Sequence, residues 1–409
     1  MRRVVITGVG PVTPIGIGRD AFWDAACRGV SGTRALSRLP FAFPIESLQS
    51  RLVAPIDGLF EDDNPRPRTL RLGELAFRLA IGDAALSAAE LAEAAVVAGT
   101  AVAATPEMER DYLAMLRDGV LDAALAPARL YERVAFHTIA HELALRAGCG
   151  RTVLTIATGC TAGLDAIGTA FDLIRDGDAQ VALAGATEAP ITPVIFAAFD
   201  VIGALSSRND RPAAASRPFD ASRDGFVLGE GASFVVLEER SHALARGAHV
   251  YAEITGFASV SNAFHMTDLP ADGAALSDCL RATLADARLA PSDVQHVNAH
   301  GSSTPQNDVC ETNAIKSVFG TRAYDMTVTS LKGAVGHALS ASNAIEIAAC
   351  ALALDRQFLL PTLHIDVPDP LCDLDYVPNR GRRARLRNVV KLSNGFSGIH
   401  SGLALRSAA

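Results

Sequence analysis

Cys160 lies where a nucleophile would be useful. It sits in Ala157-Thr158-Gly159-Cys160-Thr161-Ala162-Gly163-Leu164-Asp165, after the strand-like Val153-Leu154-Thr155-Ile156 and before Ile167, Ala170, Phe171 and Ile174 at helical spacing. At such a strand-to-helix junction, free N–H groups and the positive end of the helix dipole favour thiolate over thiol and can receive a developing oxyanion. The alternative reading is a buried structural cysteine in a glycine-bounded turn. Two histidines stand in similar junctions: His300 after Val297-Asn298-Ala299 and before Gly301-Ser302-Ser303-Thr304, and His337 between Gly336 and a helix expected from Ala338. A lone histidine is ordinarily structural, but two at strand ends point to function, because an imidazole N–H can stabilise an oxyanion or enolate. Lys332 and Glu311 are placed to orient these rings through an ion pair, although isolated charged residues usually lie at the surface. Asn307 and Asp308 are expected in the loop after His300. Phe396, in Ser393-Asn394-Gly395-Phe396-Ser397-Gly398, is an aromatic on a flexible backbone, suited either to gate a cavity or to anchor a core.

The elements that must hold these residues alternate. Strands are expected over 3–8 and near Val153 and Val181, and helices over 70–89 and 127–146, the pattern of an α/β protein with buried, mostly parallel strands. An internal echo runs through the chain. Gly159 to Ala166 and the helix that follows resemble Gly336 to Asn343 and theirs, and Val96-Val97-Ala98-Gly99 resembles Val297-Asn298-Ala299-His300-Gly301. Two halves are therefore expected, 1–250 carrying the cysteine and 251–409 carrying the histidines. The chain has 409 residues, 49% of them hydrophobic, enough for a large duplicated core.

Composition excludes several classes. The seven cysteines are odd in number and never paired as C-x-x-C, which argues against a disulfide framework or zinc knuckle and suggests a reducing cytoplasm. Met1-Arg2-Arg3 and the apolar residues after it are broken by Gly8, Gly10, Pro11 and Pro14 too early for a signal peptide, and residues 94–104 are too short a run to span a bilayer. A net charge of −8 disfavours nucleic acid, although an acidic protein could dock on Arg66, Arg68 and Arg71. Gly8-Val9-Gly10-Pro11 is not a dinucleotide fingerprint, and Gly159-Cys160 is not the G-x-nucleophile-x-G elbow. His137 and His141 have helical spacing but no third metal ligand.

From end to end the chain resembles the β-ketoacyl-acyl-carrier-protein synthases. The resemblance rests on Val4-Val5-Ile6-Thr7-Gly8-Val9-Gly10, Ser216-Arg217-Pro218-Phe219-Asp220, Arg223 to Gly231, Asn298 to Thr304, Gly336-His337 and Cys372 to Pro378. Thr158 to Asp165, Ala198-Phe199-Asp200-Val201-Ile202 and Gly395 to Ser401 look most like the catalytic ketosynthase alpha subunit of bacterial type II polyketide synthases. The resemblance implies the thiolase fold, a duplicated α/β architecture layered α-β-α-β-α with two mixed sheets. It implies an acyltransferase in which Cys160 takes the acyl chain, and His300 and His337, supported by Lys332 and Glu311, stabilise the enolate of decarboxylated malonyl-acyl carrier protein. The N–H groups of Cys160 and Phe396 would form the oxyanion hole, with the Phe396 ring as gate and Phe199, Ile202, Thr304, Asn394 and Gly395 lining the substrate pocket. No metal and no resident cofactor are implied. Phosphopantetheine would arrive on the acyl carrier protein, and the second partner would be a homologous chain-length factor in a heterodimer.

The chain departs from the family pattern at Lys332-Gly333-Ala334, Gly336-His337-Ala338-Leu339-Ser340 and Ser397, positions that bear on pocket shape, gating and an aromatic or polyene product. The alternatives are a homodimeric fatty-acid 3-oxoacyl synthase and a non-catalytic chain-length-factor-like partner. A thiolase is disfavoured because it uses a second cysteine where this chain has a histidine.

Overall fold

The computed structural model describes residues 2–37, 44–60, 64 and 66–408. Runs of Val, Ile, Leu and Ala form its main strands: β1 (Val4–Thr13), β2 (Ala95–Gly99), β3 (Val153–Ile156), β4 (Val181–Glu188) and β5 (Gly231–Glu239) in one half. The other half holds β6 (Ala252–Ser261), β7 (His296–Asn298), β8 (Thr327–Thr329), β9 (Asn388–Gly395) and β10 (Ile399–Ser407). Side by side they run β3-β2-β4-β5-β1 and β8-β7-β9-β10-β6. Both orders read third, second, fourth, fifth, first, and the parallel pairs match: β2 with β3 and β4, β7 with β8 and β9. Three antiparallel pairs, Val4 with Ile254 through Ile6 with Ala252, join the two mixed sheets edge to edge.

Helices α1 (Arg68–Ala84) and α2 (Thr138–Ala147) cover the outside of the first sheet. On the second sheet α4 (Ala274–Asp286) lies outside, with α5 (Pro305–Phe319) beside it. Between them α3 (Ala162–Asp176) and α6 (Ser340–Arg356) touch strands of both halves, which completes the α-β-α-β-α layering expected from the sequence. The middle layer is the dry centre of the molecule, and α6 is buried from Ser340 to Leu354. Small residues let the two central helices meet closely. A Cβ on Gly163 of α3 would run into the Ser340 carbonyl of α6, so only glycine fits there. The sequence echo falls on equivalent places: β2 matches β7, and the turn into α3 matches the turn into α6.

Three expected elements differ. The helix expected over 70–89 stops at Ala84, where Ala85 turns left-handed, and Ser87 restarts the chain as Ala88–Ala92 through a capping box with Glu90. The helix expected over 127–146 is broken between Leu130–Val134 and α2, because the Thr138 hydroxyl bonds the carbonyls of Glu132 and Ala135 and competes with helix continuation. Strand β1 runs on to Thr13 despite Pro11. The ladder with β6 ends at Ile6, and beyond it the chain folds back so that Gly16 and Ile17 pair with Thr13 and Val12 while the Pro11 carbonyl accepts from the Gly18 N–H at 2.7 Å, a short edge pairing that does not use the missing Pro11 N–H.

Candidate active site

The cysteine turn is built by its neighbours' side chains. Gly159, with φ +64°, reverses the chain into the short 3₁₀ turn Gly159–Thr161, and α3 begins directly after it. The carboxylate of Asp165, one turn into α3, accepts hydrogen bonds from the hydroxyls of Thr158, Thr161 (2.7 Å) and Ser401 (2.5 Å), tying the turn to β10 of the other half. Asn343 of α6 donates to the Cys160 carbonyl at 2.5 Å. The cysteine turn is thus held from both halves.

Cys160 itself is half-buried. The N–H groups of Phe396 and of Cys160 point at its sulfur. The sequence suggested a thiolate-favouring site, and the structure corrects this. Burial pushes the thiol up to about 11, with Glu188 adding to the shift, and the counter-effects of Lys332 and the two N–H groups are smaller. At neutral pH Cys160 is a protonated thiol facing two amide donors.

His300 and His337 reach the same place from the second half. Their rings stand edge to face with centroids 5.2 Å apart, both nearly inaccessible. Burial first, then the nearby ammonium groups, holds both well below the usual imidazole range, so both are neutral. The Ser342 hydroxyl accepts from the Ala338 N–H (2.8 Å) and lies 3.1 Å from His337 Nδ1. In the tautomer in which the Ser342 hydroxyl donates to Nδ1, Nε2 of His337 carries the ring proton. His300 Nδ1 is buried with no hydrogen-bond partner among the described residues.

The His300 position is set by its main chain. Glu311, on α5, accepts from the N–H groups of His300 (2.6 Å) and Gly301 (2.8 Å), while Lys332 donates to the His300 carbonyl at 2.6 Å. Both charged groups are fully buried, not at the surface. The ion pair expected between them is absent. Lys332 pairs instead with Glu346 of α6 at 3.0 Å, and Glu311 bonds backbone N–H groups, its carboxyl raised by burial to about 7. Asn307 and Asp308, expected in a loop, occupy the first turn of α5 after the N-cap Thr304. Glu346, Lys391, Ser342 and Asn343 were not singled out from the sequence. Only the density of polar residues in otherwise apolar segments near the echo motifs marked them.

A cavity of about 320 Å³ joins these groups, lined by Cys160, His300, His337 and Phe396 together with Phe199, Ile202, Thr304, Asn394 and Gly395. Every residue expected to line the substrate pocket is there. Phe396, Phe199, Phe226 and His337 form an aromatic series with successive centroids 6.2, 5.4 and 5.1 Å apart. Ser397, beside the gate residue, holds φ +67° and donates its N–H to Met266 at 2.6 Å. Gly333 and Ala334 do not line the cavity. At Gly333 the Leu363 backbone and side chain occupy the space a Cβ would enter. The arginine cluster is also spoken for: Arg68 turns inward to Glu230 (2.6 Å), Arg66 pairs with Glu74, and Arg71 lies over the Phe60 ring. None of the three borders the cavity. Among the described residues no group of three or more His, Cys, Asp or Glu could hold a metal, and no helix is long and apolar enough to cross a membrane.

A duplicated, five-layered α/β fold with a cysteine and two neutral histidines around one cavity defines a condensing acyltransferase of the thiolase-fold class. Models of the β-ketoacyl synthase N-terminal and C-terminal domains match residues 1–243 and 251–366. The chain belongs to the β-ketoacyl synthase family. The tetracenomycin polyketide synthase ketoacyl synthase alpha subunit of Streptomyces glaucescens is 44% identical, over 99% of this chain and 97% of that one. A type II polyketide synthase ketosynthase, solved in complex with its acyl-carrier protein and bound to a hexaketide, superposes with TM-score 0.93 at 40% identity, covering all of both chains. The ishigamide ketosynthase/chain length factor gives 0.90 at 30% identity, again over both whole chains.

Proposed function

We propose that the chain is the ketosynthase alpha subunit of a type II polyketide synthase, performing decarboxylative Claisen condensation. The observation that carries this is the convergence of Cys160, His300 and His337 on one cavity, with two amide N–H groups already aimed at the sulfur. In loading, Cys160 Sγ attacks the acyl thioester, the carbon–sulfur bond to the carrier breaks, and the thiol proton leaves on the departing carrier thiolate. In condensation, the malonyl thioester loses CO2, and its carbonyl oxygen, as it gains charge, takes hydrogen bonds from the imidazoles. The enolate carbon then bonds to the acyl carbon, the acyl–sulfur bond breaks, and Sγ leaves as a thiolate that takes up a proton from solvent. The N–H groups of Cys160 and Phe396 cradle the oxyanion in both steps. Neutral histidines suit this role, because an imidazolium would protonate the enolate before it attacks. Residues 1–250 supply the nucleophile and 251–409 the two imidazoles.

The substrates reach the site on phosphopantetheine carried by an acyl carrier protein, and the chain itself holds no cofactor. The second partner is a homologous chain-length factor, as in the ishigamide structure's description. An open edge supports a paired state: β3 ends the sheet with Val153 and Leu154 exposed, and Tyr131, Val134, Phe136 and Leu145 nearby in sequence are also exposed. We assign the complex to the cytoplasm. Purified chain, with and without its partner subunit, is to be incubated with acyl- and malonyl-carrier protein. Acylation of Cys160 in intact-mass spectra and malonyl-dependent CO2 release from the heterodimer are expected. A stable homodimer with full activity would instead favour a 3-oxoacyl synthase of fatty-acid elongation, and unchanged acylation of Cys160→Ala would refute the nucleophile.

A further inference from the structure

Behind the two histidines lies a second lysine that the proposed mechanism does not use. Lys391, in the middle of β9, is fully buried. Its ammonium donates to the Ala299 carbonyl at 3.1 Å and pairs with Glu346 at 2.6 Å. The other oxygen of Glu346 faces Lys332 at 3.0 Å, and Lys332 donates to the next carbonyl along, that of His300. One carboxylate therefore bridges two ammonium groups, and each ammonium grips one of two consecutive carbonyls in the turn that carries His300. From the opposite side Glu311 accepts the N–H groups of His300 and Gly301. Since His300 Nδ1 has no partner among the described residues, ring placement rests on this main-chain clamp.

A buried ammonium needs compensation, and Glu346 alone cannot neutralise two. Glu311 offsets the second only when it ionises, and burial has pushed its carboxyl up to about 7. Two lysines set around one carboxylate place positive charge behind the imidazoles, on the side where the carbonyl oxygen gains charge as CO2 leaves, and burial together with the Lys391 charge lowers Lys332 from the ordinary lysine range.

Resting on the condensation reading above, we propose that Lys391 is a positioning residue of the reaction: it anchors the Ala299 carbonyl and shares Glu346 with Lys332, fixing the His300 turn and adding positive charge behind the histidine pair. It touches no substrate and acts through His300. The step it serves is decarboxylation, not acyl transfer to Cys160.

The test uses the full chain with its partner subunit and compares wild type with Lys391→Met, which removes charge and donor, and Lys391→Gln, which keeps a donor. Cys160 acylation by intact mass should proceed at the wild-type rate in both variants, which also reports folding. For CO2 release from malonyl-carrier protein, kcat should fall about 10- to 100-fold in Lys391→Met with KM little changed, and Lys391→Gln should fall between. The acid limb of the kcat profile should move to higher pH in Lys391→Met, because the charges around the two imidazoles (Lys332 and Lys391 acting on both, the rings of His337 and His400 on His300, with Glu311 on the His300 N–H and Glu346 between the lysines) then include one cation fewer. Unchanged CO2 release in Lys391→Met overturns the proposal, as does a parallel loss of acylation and CO2 release, which would make the lysine only a part of the core. A wild-type complex that acylates Cys160 but releases no CO2 would refute the condensation reading itself, a result distinct from either.

Discussion

The turn into α3 and the turn into α6 occupy the same place in the repeated topology and do opposite work. The first is direct: β3, a 3₁₀ turn, then helix, with Cys160 half-buried at the bend. The second inserts the short helix Lys332–Val335 before Gly336, so His337 is set deeper and is almost fully enclosed, with a lysine drawn into the interior beside it. The added turn converts an accessible nucleophile position into a sheltered hydrogen-bond donor. Burial then acts on both in the direction of neutrality, raising the thiol and lowering the imidazoles. One junction must shed a proton during loading, and the other must keep one.

If the division is real, damage to one junction should spare the other's step. The largest effect is expected from Cys160→Ala: overall condensation falls on the order of 10³-fold or more, while uncoupled CO2 release from malonyl-carrier protein persists. Equal loss of both would merge the two roles. His337→Ala should leave Cys160 acylation intact and slow CO2 release about 10²- to 10³-fold, read by single-turnover assays. Asp165→Ala, which strands the hydroxyls of Thr158, Thr161 and Ser401, should destabilise the chain by about 1–3 kcal/mol in denaturant melts and slow acylation more than decarboxylation. The mildest test is chemical. With its thiol near 11, Cys160 should react with iodoacetamide about tenfold faster for each pH unit between 7 and 10, whereas a plateau near pH 8 would mean an ordinary or activated thiol.

Much of this was legible in the chain. Gly159-Cys160, Asn298 to Gly301 and Gly336-His337 mark their turns because tight junctions demand particular residues, and the echo between them reflected a real repeat of strand order. What could not be read were relations between distant segments. Lys332 faces Glu346 and not Glu311 because α6 runs beside it through the core, and nothing in local spacing encodes that approach. The thiol's direction of shift was misread for a similar reason: the helix start is visible in sequence, whereas the desolvation that outweighs it comes from tertiary packing, which sets Cys160 against an apolar cluster that includes Phe199, Phe226 and Leu339. Helix ends were missed where a single side chain, Ser87 or Thr138, overrode a good helical composition.

The contact between Gly163 and the Ser340 carbonyl works as a gauge block between the halves. Because a lone hydrogen fills that gap, even one methyl would wedge α3 from α6 and spread the sulfur from the imidazole it must serve. The reacting groups thus keep one fixed separation whatever chain is being built. On the proposed reading, a growing acyl tail would meet the cavity wall that Phe199 and Ile202 line, away from that fixed contact.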